Sequence, residues 1–142
     1  AGMEIPVDIP AYTMERVLAD KISATFSSKQ FRRVKDLYDI YSITSLFDIN
    51  IYEMYVALKE RKFNPDVDTS PFKEDAIVKW NQAWNKFNLS DMNENALIKP
   101  DVMEMLRQYS IFIVDYMQLV DSGNMDYYWN HNKRSWQREG LR

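Results

Sequence analysis

The chain of 142 residues is long enough for one domain with a sizeable core, and its 46% hydrophobic and 14% aromatic content is typical of a folded globular protein. The absence of cysteine and the single histidine exclude disulfide frameworks, thiolate metal sites and sites built from several histidines. A net charge of −3 argues against polyanion binding by the whole surface, and the lack of a long apolar run or a visible leader predicts a cytoplasmic protein without a membrane partner.

Three glycines and five prolines are too few for an all-β fold, so we expect a mostly α protein. The chain opens with an extended segment, Met3–Pro10, in which apolar residues alternate and two prolines disfavour a helix. Because a single strand needs a partner, residues 1–12 are predicted to lead in from a missing N-terminal domain. Residues 13–142 are then expected to form a single helical domain of about five or six helices.

Two predicted helices follow, and each carries charges where its apolar pattern calls for hydrophobic residues. The first begins at the N-cap Thr13 and has Lys21 near the centre of its apolar arc. The second spans about Gln30 to Leu46, with Asp36 aligned with apolar residues and Arg33 at the border of the main apolar face. Lys21 and Asp36 either form a partly buried ion pair between the helices, or form a site with a phosphate-binding lysine and a carboxylate that acts as base or metal ligand.

The rest of the chain predicts three further helices and an aromatic tail. These are a helix through Ile51–Lys62 capped by Asp48, a helix from Pro71 to Phe87, and a helix from Pro100 that ends at Ser122-Gly123-Asn124. The aromatic stripe of the Pro71–Phe87 helix is either core or a docking surface. The tail interleaves aromatic residues with Lys and Arg, and these either stack on single-stranded nucleic acid or pack back onto the helices.

The spacing of the charged residues resembles a known family. The run Glu15-x-x-x-Ala19-Asp20-Lys21, and then Arg33-x-Lys35-Asp36-x-x-Asp39, is similar to the third and fourth motifs of AbiEii/AbiGii-type nucleotidyltransferase toxins. In that family an extended segment like Ile9-Pro10-Ala11-Tyr12 precedes the third motif. The resemblance covers about the first third of the chain, with Ile40 where leucine is commoner in the family.

The resemblance implies a bacterial or phage-defence enzyme of type IV toxin–antitoxin or abortive-infection systems. Such enzymes use Mg²⁺ to transfer a nucleotide from an NTP to an acceptor, in some members RNA, and an antitoxin protein is the expected partner. By motif position, Lys21 would contact the NTP and Asp36 would be the catalytic carboxylate. The supporting, nucleotide-binding residues would be Glu15, Arg33, Lys35 and Asp39.

The family's first two motifs, a G-S loop and a metal-binding D-x-D, lie in an N-terminal domain ahead of the third motif, and nothing ahead of Glu15 in this sequence matches them. No metal ligand is therefore assigned within the chain, and the chain on its own is expected to be inactive. It is interpreted as the C-terminal helical part of such a nucleotidyltransferase. The alternative is a non-catalytic helical module that binds an antitoxin protein or RNA.

Overall fold

A computed structural model describes residues 13–66, 68–90 and 99–141 of the chain. Five α-helices and a small three-stranded antiparallel sheet make up this part, which confirms the prediction of a mostly helical fold. The helices are α1 (Met14–Thr25), α2 (Val34–Leu46), α3 (Ile51–Glu60), α4 (Glu74–Ser90) and α5 (Val102–Asp121). The strands are β1 (Ile49–Asn50), β2 (Tyr127–Asn130) and β3 (Ser135–Arg138), and short 3-10 turns span Gln30–Arg33 and Glu139–Leu141. The predicted extended segment 1–12 lies outside the described residues.

One hydrophobic core joins all of these elements. Helix α1 packs against α2 and α3, and α5 packs against α2, α4 and β3. The largest fully buried side chains come from every layer: Leu18, Ile22, Leu37, Ile40, Met54, Trp80, Met105, Tyr109, Phe112 and Trp129. The stripe of the fourth helix belongs to this core, because Ala76, Trp80 and Trp84 are buried. That observation favours the core interpretation of the stripe over the docking surface.

Helix ends follow local capping chemistry, and two of them correct the sequence predictions. Helix α3 is capped by Asn50, whose side chain accepts a hydrogen bond from the Glu53 N–H at 2.9 Å, so the prediction of Asp48 as the cap was wrong. Asp48 instead lies 2.6 Å from the His131 ring. The predicted helix start at Pro71 was also wrong, because Pro71 lies in a turn and α4 begins at Glu74. The predicted helix end at Gly123 is confirmed, and its φ of +74° is the left-handed conformation that glycine permits.

The aromatic tail forms a β-hairpin that the sequence did not predict. Strand β2 lies in the centre of the sheet and pairs with β1 (Ile49 opposite Trp129) and with β3 (Trp129 opposite Trp136). Both tryptophans are buried and donate their indole N–H to helix carbonyls, Trp129 to Thr44 at 2.7 Å and Trp136 to Phe112 at 2.9 Å. The tail therefore packs back onto the helices, which confirms the second of the two interpretations. These tryptophans do not form an exposed stacking surface.

Gln108 of α5 connects the hairpin to α2 through a buried polar network. Its amide nitrogen donates to the Thr44 and Ser45 hydroxyls at 2.7 and 2.9 Å, and its carbonyl oxygen accepts from Arg134 at 2.6 Å. Arg134 sits in the hairpin turn with a positive φ of 53°, which costs a non-glycine residue about 1 kcal/mol. The bond to Gln108 offsets part of that cost and fixes the hairpin against the helices.

No helix in the described ranges has both the length and the apolar character needed to cross a lipid bilayer.

Candidate functional site

Lys21 projects from α1 toward two carboxylates on the same face of α2. Its ammonium nitrogen lies 3.1 Å from Asp36 Oδ1 and 2.8 Å from Asp39 Oδ2. Residues three apart on an α-helix share a face, which is why one lysine reaches both. The proximity of Lys21 and Asp36 that the sequence predicted is therefore confirmed.

Arg33 and Lys35, two cations from the run that resembles the fourth motif, complete the group. Arg33 lies at the junction of the 3-10 turn and α2, and its Nε donates to Asp36 Oδ2 at 2.5 Å. Lys35 Nζ lies 3.2 Å from Oδ2 of Asp39, which is one turn further along α2. We call Lys21, Arg33, Lys35, Asp36 and Asp39 the Lys21 cluster; with three cations and two carboxylates, its formal charge is +1.

The cluster is partly shielded from water, and this shapes its electrostatics. The Lys21, Asp36 and Asp39 side chains are 20%, 11% and 21% exposed, whereas Arg33 and Lys35 lie on the outside. Burial lowers the pKa of Lys21, but hydrogen bonds and attraction from Asp39 and Asp36 outweigh it, so the pKa is raised. The hydrogen bond to Asp36 likewise raises the pKa of Arg33. Lys21 therefore carries a full charge at neutral pH.

Of the six predicted site residues, Glu15 is the one that the structure places apart from this cluster. Its side chain is buried and accepts a hydrogen bond from the Asn50 backbone N–H at 2.9 Å. Six residues separate it from Lys21, about one and two-thirds turns, so the two side chains leave α1 in different directions. In this structure Glu15 connects α1 to the start of α3.

A charged cleft of about 340 Å³ lies beside Lys21, on the side of α1 that faces α3. Its lining residues are Arg16, Val17, Asp20, Lys21 and Arg61. Arg16 pairs with Glu60 at 3.1 Å, and Arg61 lies 3.6 Å from Asp20. Sequence reasoning missed Arg61, because a basic residue at the end of a helix is usually read as an ordinary C-terminal cation.

A second cleft, of about 420 Å³, lies between α3 and α5 and is largely apolar. Its lining residues include Tyr55, Leu58, Phe63, Tyr116 and Met117, and none belongs to the Lys21 cluster. Although it is the larger of the two, it offers few groups that could bind or move a charged substrate. The charged cleft beside Lys21 is therefore the better candidate for chemistry.

The cluster does not fit a Mg²⁺ site by itself. A Mg²⁺ ion in a protein is usually octahedral: it keeps several water ligands and is bound by one or two carboxylates. Both oxygens of Asp36 already accept hydrogen bonds from cations, Oδ1 from Lys21 and Oδ2 from Arg33. Across the residues that the structure describes, no group of three or more acidic or histidine side chains could hold a metal ion. What the cluster can offer is positive charge for an anion, and oriented carboxylates.

Comparison with known proteins gave one match. The sequence model of a family described as "AbiEii: Nucleotidyl transferase AbiEii toxin, Type IV TA system" matches residues 2–108, which is more than half of the chain. The match includes both motifs and the helices that carry the Lys21 cluster. No curated protein and no solved structure matched.

Proposed function

The chain belongs to the AbiEii nucleotidyl transferase toxin family of type IV toxin–antitoxin systems, and from that premise we propose that its Lys21 cluster is the helical part of a nucleotide-transfer site. Family membership implies an antitoxin partner. The observation that carries the proposal is the convergence of Lys21, Asp36 and Asp39 from the two motifs within hydrogen-bonding distance.

In this proposal Lys21 binds the phosphate chain of an NTP. An ammonium group has three N–H donors, and the two carboxylates accept two of them. The third is available to a phosphate oxygen, with the lysine acting as a point charge. Asp36 and Asp39 hold the ammonium in one orientation, so little side-chain freedom is lost when the nucleotide binds.

Asp36 is proposed as the catalytic carboxylate, positioned from opposite sides by Lys21 and Arg33. In nucleotide transfer an acceptor hydroxyl attacks the α-phosphorus, a new O–P bond forms, and the bond to the leaving pyrophosphate breaks. The hydroxyl proton must be removed, and a fixed carboxylate can accept it. We propose an RNA hydroxyl as the acceptor, in keeping with the family resemblance.

In the described ranges no group of three or more acidic or histidine side chains could hold a metal ion, and both oxygens of Asp36 are paired with cations. We therefore propose that Mg²⁺ is bound by another part of the active enzyme, and that the 142 residues alone transfer no nucleotide. We derive no step through the metal from this structure.

The test is a transfer assay with labelled NTPs, Mg²⁺ and RNA, in a polypeptide that joins these residues to the metal-binding motifs. Lys21→Ala and Asp36→Ala are expected to lower transfer by at least about a hundredfold while the variants stay folded. Lys99→Ala removes an equal charge from an exposed position and should transfer as the wild type does. Transfer that survives in both cluster variants would overturn the proposal.

The alternative is a non-catalytic module that binds an antitoxin or RNA. The structure offers it less support, since the apolar stripe of α4 is in the core and the tail tryptophans are buried. Under this alternative, the Lys21 cluster has only a structural role, and transfer by the joined polypeptide would fall only in proportion to the fraction of each variant that is unfolded.

A further inference from the structure

Arg61 stands at the C-terminal end of α3, where it faces the cleft beside Lys21. A cation at this end of a helix is favoured by the helix dipole, which is the ordinary structural explanation for it. The burial of Arg61 and its position in the cleft indicate a further role. Only 31% of its side chain is exposed, and it lines the same cleft as the ammonium-bearing Lys21.

The pairing of Arg61 with Asp20 is incomplete. The guanidinium nitrogen and the carboxylate oxygen are 3.6 Å apart, beyond the usual length of a hydrogen bond. Within the described ranges, the Arg61 side chain makes no hydrogen bond. A guanidinium group has five N–H donors in a planar fork that matches a phosphate. By contrast, Arg16 on the other side of the cleft donates a 3.1 Å hydrogen bond to Glu60.

Asp20 occupies a position between cations. Its side chain is 68% exposed, and its charge acts on Arg33 as well as on Arg61. Asp20 also precedes Lys21 directly in the chain. The Asp20 carboxylate balances the positive charges of Arg33 and Arg61. Because the side chain is exposed, it can move away without disturbing the core.

We propose that Arg61 is a further phosphate-binding residue of this site, and that the phosphate chain of a nucleoside triphosphate replaces the Asp20 carboxylate beside it. This inference rests on the proposed function, because it extends the Lys21 site across the cleft to α3. Lys21 and Arg61 then bind different parts of one phosphate chain. Asp20 competes with the substrate and keeps the arginine in place when no nucleotide is bound.

The proposal predicts opposite effects for the two partners of one ion pair. Inorganic triphosphate is titrated into the 142-residue chain by calorimetry, at low salt and without a metal ion. Arg61→Ala should weaken binding by about 10- to 100-fold, the effect of losing a charge-assisted hydrogen bond. Asp20→Asn should strengthen it by several-fold, because a competing negative charge is removed. If the ion pair were only structural, Arg61→Ala and Asp20→Asn would not change triphosphate affinity in opposite directions.

The hairpin offers a matched control pair. Arg138 and Asp126 are a second arginine–aspartate pair, 3.9 Å apart, and lie outside the cleft. Arg138→Ala and Asp126→Asn change the net charge by the same amounts, so they should leave triphosphate binding within about twofold of the wild type. Urea denaturation of each variant verifies that the compared proteins are folded.

Two results would overturn the inference, and they separate it from the proposed function. If Lys21→Ala abolishes triphosphate binding while Arg61→Ala and Asp20→Asn bind as the wild type does, Arg61 has only a structural role and the Lys21 site stands. If the control pair shifts binding as much as Arg61 and Asp20 do, the effect is one of net charge and no phosphate site extends to Arg61. The transfer assay with Lys21→Ala and Asp36→Ala judges the proposed function independently.

Discussion

Replacing Lys21 by methionine keeps an unbranched apolar side chain that is one atom shorter, but removes the charge that joins α1 to α2. After the substitution neither carboxylate is left alone, because Asp36 keeps Arg33 at 2.5 Å and Asp39 keeps Lys35 at 3.2 Å. Breaking a buried ion pair that leaves an uncompensated charge costs about 3–5 kcal/mol, and an exposed pair about 0–1 kcal/mol. With a side chain 20% exposed and both carboxylates still paired, Lys21 lies between these limits. We expect a loss of about 1–2 kcal/mol in the free energy of unfolding.

The measurement is urea unfolding followed by the fluorescence of the four tryptophans, all of which are buried. A domain of ordinary stability, about 5–15 kcal/mol, would stay folded after such a loss. A loss above about 4 kcal/mol would show that Lys21 mainly holds the fold together, and the site interpretation would lose its support.

The same experiment has a defined pH dependence. The folded-state pKa of Lys21 is raised above its ordinary value of 10.5, so the folded protein holds this proton more tightly than the unfolded chain does. The stabilisation is therefore fully present below the unfolded-state pKa and is lost as the pH rises through the raised folded-state pKa. The difference between wild type and Lys21→Met should be constant from about pH 6 to about pH 9 and shrink above about pH 10.5. A difference that stays constant above pH 11 would refute this account of the pair.

Three further predictions concern residues whose roles the structure separates. Glu15→Ala leaves the Asn50 N–H without its acceptor and should cost about 1–3 kcal/mol in urea unfolding, while triphosphate affinity in calorimetry stays unchanged; a loss of affinity without a loss of stability would return Glu15 to the nucleotide site. Asn50→Ala should lower the free energy of unfolding by about 1 kcal/mol through loss of the α3 cap, and an equal or larger effect from the Leu46→Ala control, an exposed side chain, would contradict that assignment. Gln108→Leu removes the amide that donates to the Thr44 and Ser45 hydroxyls and accepts from Arg134, and should cost about 2–3 kcal/mol in thermal or urea unfolding; a neutral result would show that the network does not hold the hairpin.

The sequence predicted the helices and the pairing of Lys21 with Asp36, because both follow from local periodicity. Lys21 on one helix and Asp36 on the next both depart from the apolar pattern, and this predicts either an ion pair or a shared site between the two helices. The other residues that lie near Lys21 and Asp36 depend on how the helices cross. The spacing of residues along the sequence does not determine that crossing. That is why Glu15 reaches α3 instead of the cluster, and why Arg61, forty residues after Lys21, was missed.

The hairpin was missed for a different reason. Its strands are four residues each, too short for a clear alternating pattern, and the tail mixes aromatic and basic residues. Strand β1 is two residues long and directly precedes α3, so no sequence window distinguishes it from a helix start. Only the three-dimensional pairing of Ile49 with Trp129 identifies it.

The proposed site requires that a nucleoside triphosphate binds at the Lys21 cluster. The most direct test is an NMR titration of the ¹⁵N-labelled 142-residue chain with ATP, GTP, CTP and UTP in turn, following the backbone amides. We expect at least one triphosphate to shift the amides around Lys21, Arg33–Asp39 and Arg61, and Lys21→Met to remove these shifts. Shifts confined to the apolar cleft between α3 and α5, or no shift with any of the four nucleotides, would contradict it.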